Sequence, residues 1–167
     1  MITLKNYVAA FLRCGDKWLL MKRADNRKIN PGVWSGVGGH IELHEMNTPL
    51  AACYREIEEE TGIPQSTIAL LDLLYVITRR SGNEIRQSYV YFGETDMSDI
   101  TQTDEGVLSW IPCGELQKRK YTATYASMLE HYENRSGNDR AVYVGVASDS
   151  GGKLAMNWSK CEDFEKL

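Results

Sequence analysis

Short apolar runs of β-capable residues recur along this chain, and in two places they give way to helical spacing. Residues 7–12 form the first run, and residues 18–21 answer it across Gly15 and Asp16, so the chain is expected to open with a β-hairpin. Residues 70–77 are apolar apart from Asp72, too long a run for one flat exposed strand, and are expected to bend or enter the core. Residues 79–84 read as a polar hairpin loop, and residues 85–92 return as a strand that alternates from Ser88 to Phe92. An acidic loop rich in Ser and Thr, residues 96–105, precedes a further strand at residues 107–111. Tyr125, Met128, Leu129 and Tyr132 then recur at helical spacing, which places a packing helix over residues 122–133. Two further runs, residues 141–146 and 153–158, flank a Ser/Gly turn and predict an added hairpin within residues 139–167, whose open edge makes a homodimer an expectation.

The other helical stretch carries the chemistry. Thr48 and Pro49 suit an N-cap and a first helical position, and Gly62 suits a C-cap. At about 100° per residue, Glu56, Glu59 and Glu60 share a sector of roughly 100°. Leu50, Tyr54, Ile57 and Thr61 fall on the broadly opposite side, where they can dock on a sheet. Like charges one turn apart, such as Glu56 and Glu60, cost a helix stability. A divalent cation turns that cost into binding, and an all-oxygen ligand set suits Mg2+ or Mn2+ with phosphate oxygens. The bland reading is a solvated acidic face on which Arg55 pairs with Glu59.

The residues before the helix weigh against the bland reading. Residues 31–39, PGVWSGVGG, combine a turn signal with glycines that let backbone approach a ligand closely. Arg55-Glu56-Ile57-Glu58-Glu59-Glu60-Thr61-Gly62-Ile63 then matches, at every position, the second half of G-x5-E-x7-R-E-U-x-E-E-x-G-U, where U is aliphatic. The stretch resembles the Nudix box. The first half departs from the pattern: from Gly39 the first gap reaches Glu45, but nine residues instead of seven separate Glu45 from Arg55. Counting back from Arg55 puts Asn47 in the glutamate position, so Glu45 and Asn47 both stand as candidates to support Arg55.

The resemblance, to the MutT-like Nudix hydrolases, implies an α/β (α+β) fold with a mixed β-sheet sandwiched between helices. It implies that Glu56, Glu59, Glu60 and the backbone carbonyl of Gly39 bind Mg2+, with Mn2+ as a substitute. One carboxylate among Glu56, Glu59 and Glu105 is expected to accept the proton of the attacking water, and Arg55 to orient a glutamate. Glu105 stands where many relatives place a further carboxylate, with Asp104 beside it as the reserve. Arg23, at the end of the second strand, Trp34 and Ser35 fall where relatives place substrate. Hydrolysis of a nucleoside diphosphate linked to another moiety X follows, a nucleoside triphosphate first and a nucleotide sugar or dinucleoside polyphosphate as the alternative. An isomerase of the same fold carries a cysteine near the tryptophan, and residues 34–38 hold none. A ligand-sensing module without catalysis loses box carboxylates, which are retained here.

Composition adds bounds. At 167 residues and a net charge of -4, one domain spanning 1–167 is expected, without the basic excess of a nucleic-acid or membrane-surface binder. Cys14, Cys53, Cys113 and Cys161 lack metal-ligand spacing and no long apolar run occurs, which points to a cytoplasmic protein with free thiols. His40 and His44 stand four apart, but the glycines before them disfavour the helix a zinc pair needs. A small basic cluster, Lys22, Arg23, Arg27 and Lys28, precedes the acidic helix.

Overall fold

The opening hairpin forms, with β1 (Thr3–Cys14) antiparallel to β2 (Lys17–Arg23). A computed structural model describes residues 1–26 and 30–166; Arg27 and Lys28 of the expected basic cluster lie outside the described residues. The short β3 (Trp34–Ser35) pairs with β2, and α1 (Pro49–Thr61) follows a single 3-10 turn at Leu43–Glu45. After α1 come β4 (Ile68–Ser81), β5 (Glu84–Thr95), β6 (Gly106–Pro112), α2 (Ala123–Glu133), β7 (Tyr143–Ser150) and β8 (Lys153–Lys160). The described strands join one mixed sheet in the order β3-β2-β1-β5-β4-β7-β8, with β6 paired to β2. β1 lies parallel to β5 and β4 parallel to β7.

The two faces of the sheet bury different clusters. Val8, Ala10 and Leu12 of β1 and Leu19 and Met21 of β2 meet Ala52, Cys53 and Ile57 of α1. Their neighbours in sequence, Ala9, Phe11, Trp18 and Leu20, meet Met128 and Leu129 of α2 on the other face. Alternation along strands buried on both sides explains why β1 reads as a continuous apolar run. Ala52, Cys53, Ile57 and Thr61 of α1 are buried and Tyr54 packs against the same cluster half-buried, whereas Leu50, expected on that face, is exposed.

β4 bends as its long apolar run required. Its register with β5 slips between Leu73 and Tyr75, so Leu74 is an extra residue. Before this bulge Leu71 and Leu73 face α1; after it Tyr75 and Ile77 face α2. The bulge has moved the odd-numbered residues from one side of the sheet to the other. The expected loop at residues 79–84 is also corrected: both strands run on, leaving Gly82 and Asn83 as the turn, with Gly82 in the left-handed conformation at φ 59°. The C-terminal hairpin forms with a tighter turn than expected, and it extends the main sheet beside β4 instead of standing apart. Its Met156 and Trp158 pack into the α2 cluster. Among the described residues no helix is long and apolar enough to cross a membrane, and the four cysteines are free.

Candidate active site

Pro49 occupies the first turn of α1, as its fixed φ favours. Thr48 is the N-cap residue but its side chain caps nothing; the hydroxyl donates back to the Glu45 carbonyl at 3.3 Å. Gly62 closes the helix at φ 74°, its N–H donating to the Glu58 carbonyl. Between these ends the helix presents Glu56, Glu59 and Glu60 to one cleft, with Arg55 beside it bonded to Glu56 and Glu59.

Arg55 is the hub of this cleft. Its Nε and Nη2 donate to the two carboxylate oxygens of Glu45, each at 2.8 Å, and Nη2 also donates to the His40 carbonyl. Its Nη1 donates to Glu56 at 2.8 Å and Glu59 at 3.0 Å. Glu45 therefore makes the planar two-point pair for which guanidinium is shaped, while Asn47 is exposed. Glu45 is buried, and the Arg55 bonds hold its carboxyl down to about 2.

Glu60 reaches the opposite wall. It is 8% exposed, and the Gly38 N–H donates to its Oε2 at 2.6 Å. Burial first, and then the nearby charges of Glu56 and Glu105, push its carboxyl up to about 7. Burial also raises Glu56 above the ordinary carboxylate range, against the pull of Arg55. Glu59, by contrast, is more than half exposed at the mouth. The two glycines make this approach sterically feasible. Gly38 has φ 147° and a Cβ there would strike the Val8 carbonyl; a Cβ on Gly39 would strike the Glu56 carboxylate.

Two adjoining cavities meet at Gly38, Gly39 and His40. The acidic one, about 400 Å³, is lined by Glu42, Glu56, Glu59, Glu60, Thr103 and Glu105. The loop before β6 is held there by Gln102, whose side-chain amide exchanges two hydrogen bonds with the Leu108 backbone. The other cavity, about 290 Å³, is lined in part by Arg23, Trp34, Ser35 and Tyr125. Asp104, the expected reserve, is exposed and lines neither. Arg23 belongs to the second cavity but acts electrostatically on Glu60 in the first. Its Nε and the Thr103 Oγ1 are buried polar atoms without a hydrogen-bond partner among the described residues.

The donor set fits a hard divalent cation: carboxylates from Glu56, Glu59 and Glu60 beside the Gly39 carbonyl, with no sulfur or imidazole required. Among the described residues no three such side chains converge closely enough to enclose an ion as they stand. Arg55 holds Glu56 and Glu59, and the Gly38 backbone holds Glu60, in their present positions. His40 and His44 do not converge: the His40 ring lies against Tyr7, tilted at 44° with centroids 4.4 Å apart, and His44 is exposed beside Glu42. Cys53 is fully buried under α1, and burial pushes its thiol up, as suits a packing group. Arg79, Arg86 and Thr103 line the two cavities, and sequence reading had not singled them out.

An acidic helix packed on a mixed sheet, its carboxylates facing a glycine-backed cleft, defines the class of Nudix hydrolases. The chain belongs to that family: residues 3–132 match the NUDIX domain. The MutT protein of Bacillus halodurans superposes with a TM-score of 0.73 at 17% identity, covering 92% of this chain and 97% of that one. The NUDIX domain of Shewanella oneidensis NrtR, solved with ADP ribose, superposes with a TM-score of 0.61 at 16% identity, covering 81% of this chain and 88% of that one. In sequence, the m7GpppN-mRNA hydrolase NUDT17 of Xenopus laevis is 47% identical over 47 residues, 28% of this chain and 15% of that protein's length.

Proposed function

We propose that this enzyme hydrolyses the diphosphate of a nucleoside diphosphate linked to another moiety X, with Mg2+ held by Glu56, Glu59, Glu60 and the Gly39 carbonyl. The observation that carries the reading is the pairing of an all-oxygen carboxylate cleft with buried, unpartnered polar atoms beside it, Thr103 Oγ1 in its own lining and Arg23 Nε in the lining of the adjoining cavity. Unsatisfied buried donors are costly, and phosphate oxygens are strong acceptors for them. When bound, the cation supplies Lewis acidity toward phosphoryl oxygen and lowers the pKa of water. The chain's own groups do the rest. Arg55 holds Glu56 and Glu59 in fixed rotamers and is itself held by Glu45; Glu56, Glu59 or Glu105 takes the proton from the attacking water. Arg23 neutralises charge where the two cavities join.

A nucleoside triphosphate, yielding a nucleoside monophosphate and pyrophosphate, is the simplest such substrate. The second cavity supports a larger one, with an organic group on the far side of the diphosphate; the ADP ribose of the Shewanella complex is a molecule of that kind. The test is release from a nucleotide panel with and without Mg2+, scoring pyrophosphate against inorganic phosphate. Magnesium-dependent cleavage between phosphates is expected. Binding of panel members without turnover of any would favour a ligand-sensing module.

A further inference from the structure

The second cavity ends in an arrangement that the fold does not need. Lys5 of β1, Arg86 of β5 and Arg79 of β4 are direct cross-strand partners, so three cations stand in one row on the α2 face of the sheet. Like charges placed directly opposite destabilise a sheet. Glu84 offsets part of this charge, pairing with Lys5 at 2.8 Å and Arg86 at 2.6 Å. Arg79 has no such relief: it forms no ion pair among the described residues, and Tyr125 is the titratable group of α2 that feels its charge. The bulge at Leu74 is what turns Arg79, with Ile77, toward this cavity instead of the α1 face.

The remaining walls suit a nucleoside. Trp34 and Tyr125 supply aromatic surface, Ser88, Thr122 and Thr124 supply hydroxyls, and the described lining includes no carboxylate. The distance fits as well. Val8, whose N–H binds the Gly39 carbonyl, lies two strand spacings from β4 and three residues along β1 from the cationic row. That is roughly 10 Å in each direction, about 14 Å along the diagonal to the backbone of Arg79 and about 11 Å to that of Arg86, one strand nearer, and both side chains reach back from there into the cavity that Gly39 borders.

We infer that Arg79 and Arg86 form a subsite for a second anionic group, a phosphate monoester on the nucleoside's ribose, remote from the diphosphate that is cut. The inference rests on the reading that the acidic cleft holds the diphosphate. Paired guanidinium groups match phosphate geometry, and unfavourable local charge that persists in a fold marks a functional position. The subsite selects phosphorylated over unphosphorylated nucleotides without taking part in the bond cleavage.

Equilibrium binding measured in EDTA tests this apart from turnover. The probes are the 3′,5′- and 2′,5′-bisphosphates of adenosine and guanosine against AMP and GMP. Wild-type protein is expected to bind at least one bisphosphate about 10-fold more tightly than its monophosphate, and the isomer preferred identifies which ribose oxygen carries the group. Arg79→Gln is expected to bring that ratio to within about 2-fold, and Arg79→Lys to keep most of it; a variant that merely folds poorly loses both ligands alike and leaves the ratio unchanged. No preference for any bisphosphate in wild type, or an unchanged ratio in an Arg79→Gln protein whose melting curve matches wild type, overturns the inference. Hydrolysis of the nucleotide panel in Mg2+, with ADP-ribose and its 2′-phosphate added, separates the two readings: a bisphosphate binding preference with no panel member cleaved removes the hydrolase assignment and leaves the subsite standing.

Discussion

At the scale of single residues, the support of Arg55 is the clearest case of geometry deciding what spacing left open. The sequence offered Glu45 and Asn47, because two additional residues break the count between Gly39 and Arg55. The 3-10 turn at Leu43–Glu45 and the turn after it absorb those residues before the helix begins, so the carboxylate of Glu45 reaches both Nε and Nη2. Glu45→Gln keeps the shape but removes the charge on which the pair depends. Because partners that orient ligating groups are worth about 10–100-fold, kcat/KM is expected to fall by that factor in Glu45→Gln and to stay near wild type in Asn47→Ala. Steady-state kinetics of the two variants checks this, and equal losses would refute the assignment of Glu45. The box half from Arg55 to Ile63 was legible because each of its residues acts from a regular helix, where spacing fixes direction.

At the scale of elements, most strands and both helices were legible from apolar runs and caps, and the errors have common physical causes. Residues 79–84 read as a loop because they are polar, yet polar residues are ordinary on strands that extend past the core. The phase of β4 could not be read at all: alternation carried from Leu71 and Leu73 puts Arg79 on the wrong face, and Leu74 reverses it. The hairpin was visible as two strands, but its partner was not, since parallel pairing with β4 joins residues far apart in sequence. That junction predicts a pH dependence. His131 of α2 lies between Tyr75, Tyr143 and Trp158, with its Nδ1 2.9 Å from the Tyr75 hydroxyl, and burial lowers its pKa below the ordinary 6.5. A group whose folded pKa is depressed resists protonation in the native state, so this contribution is complete above about pH 6.5 and declines as pH falls below it. Thermal unfolding at pH 7.5 and pH 5 is expected to show a smaller drop for His131→Gln than for wild type; equal drops would refute the role of His131.

At the scale of the whole molecule, a sheet covered on one face by α1 and on the other by α2 brings the box and the loop before β6 to one cleft and the end of β2 to the cavity that adjoins it. Because β7 and β8 continue this sheet and Trp158 packs against Tyr75, residues 139–167 are proposed to fold with the rest as one unit. Calorimetry should give a single transition, and Trp158→Ala should lower stability by about 3 kcal/mol, the low end for truncating a packed aromatic. A separate early transition for the hairpin would contradict this. The same architecture holds Glu56, Glu60 and Glu105 close enough to influence one another, so a bound cation stabilises the native state by mass action. Mg2+ is expected to raise the melting temperature of wild type and to have a much smaller effect on Glu56→Gln.

The central claim, that the carboxylates of α1 hold the cation that makes hydrolysis possible, is tested most directly by magnesium-dependent turnover of one cleaved nucleotide by wild type and Glu59→Gln, each shown to be folded by its melting curve. Glu59 is the exposed member of the set, so its loss should leave the fold intact. Turnover is expected to fall by about 10²–10⁴-fold, the range for a carboxylate that positions or deprotonates the nucleophile. A folded Glu59→Gln protein with near-normal, magnesium-dependent turnover would contradict the account.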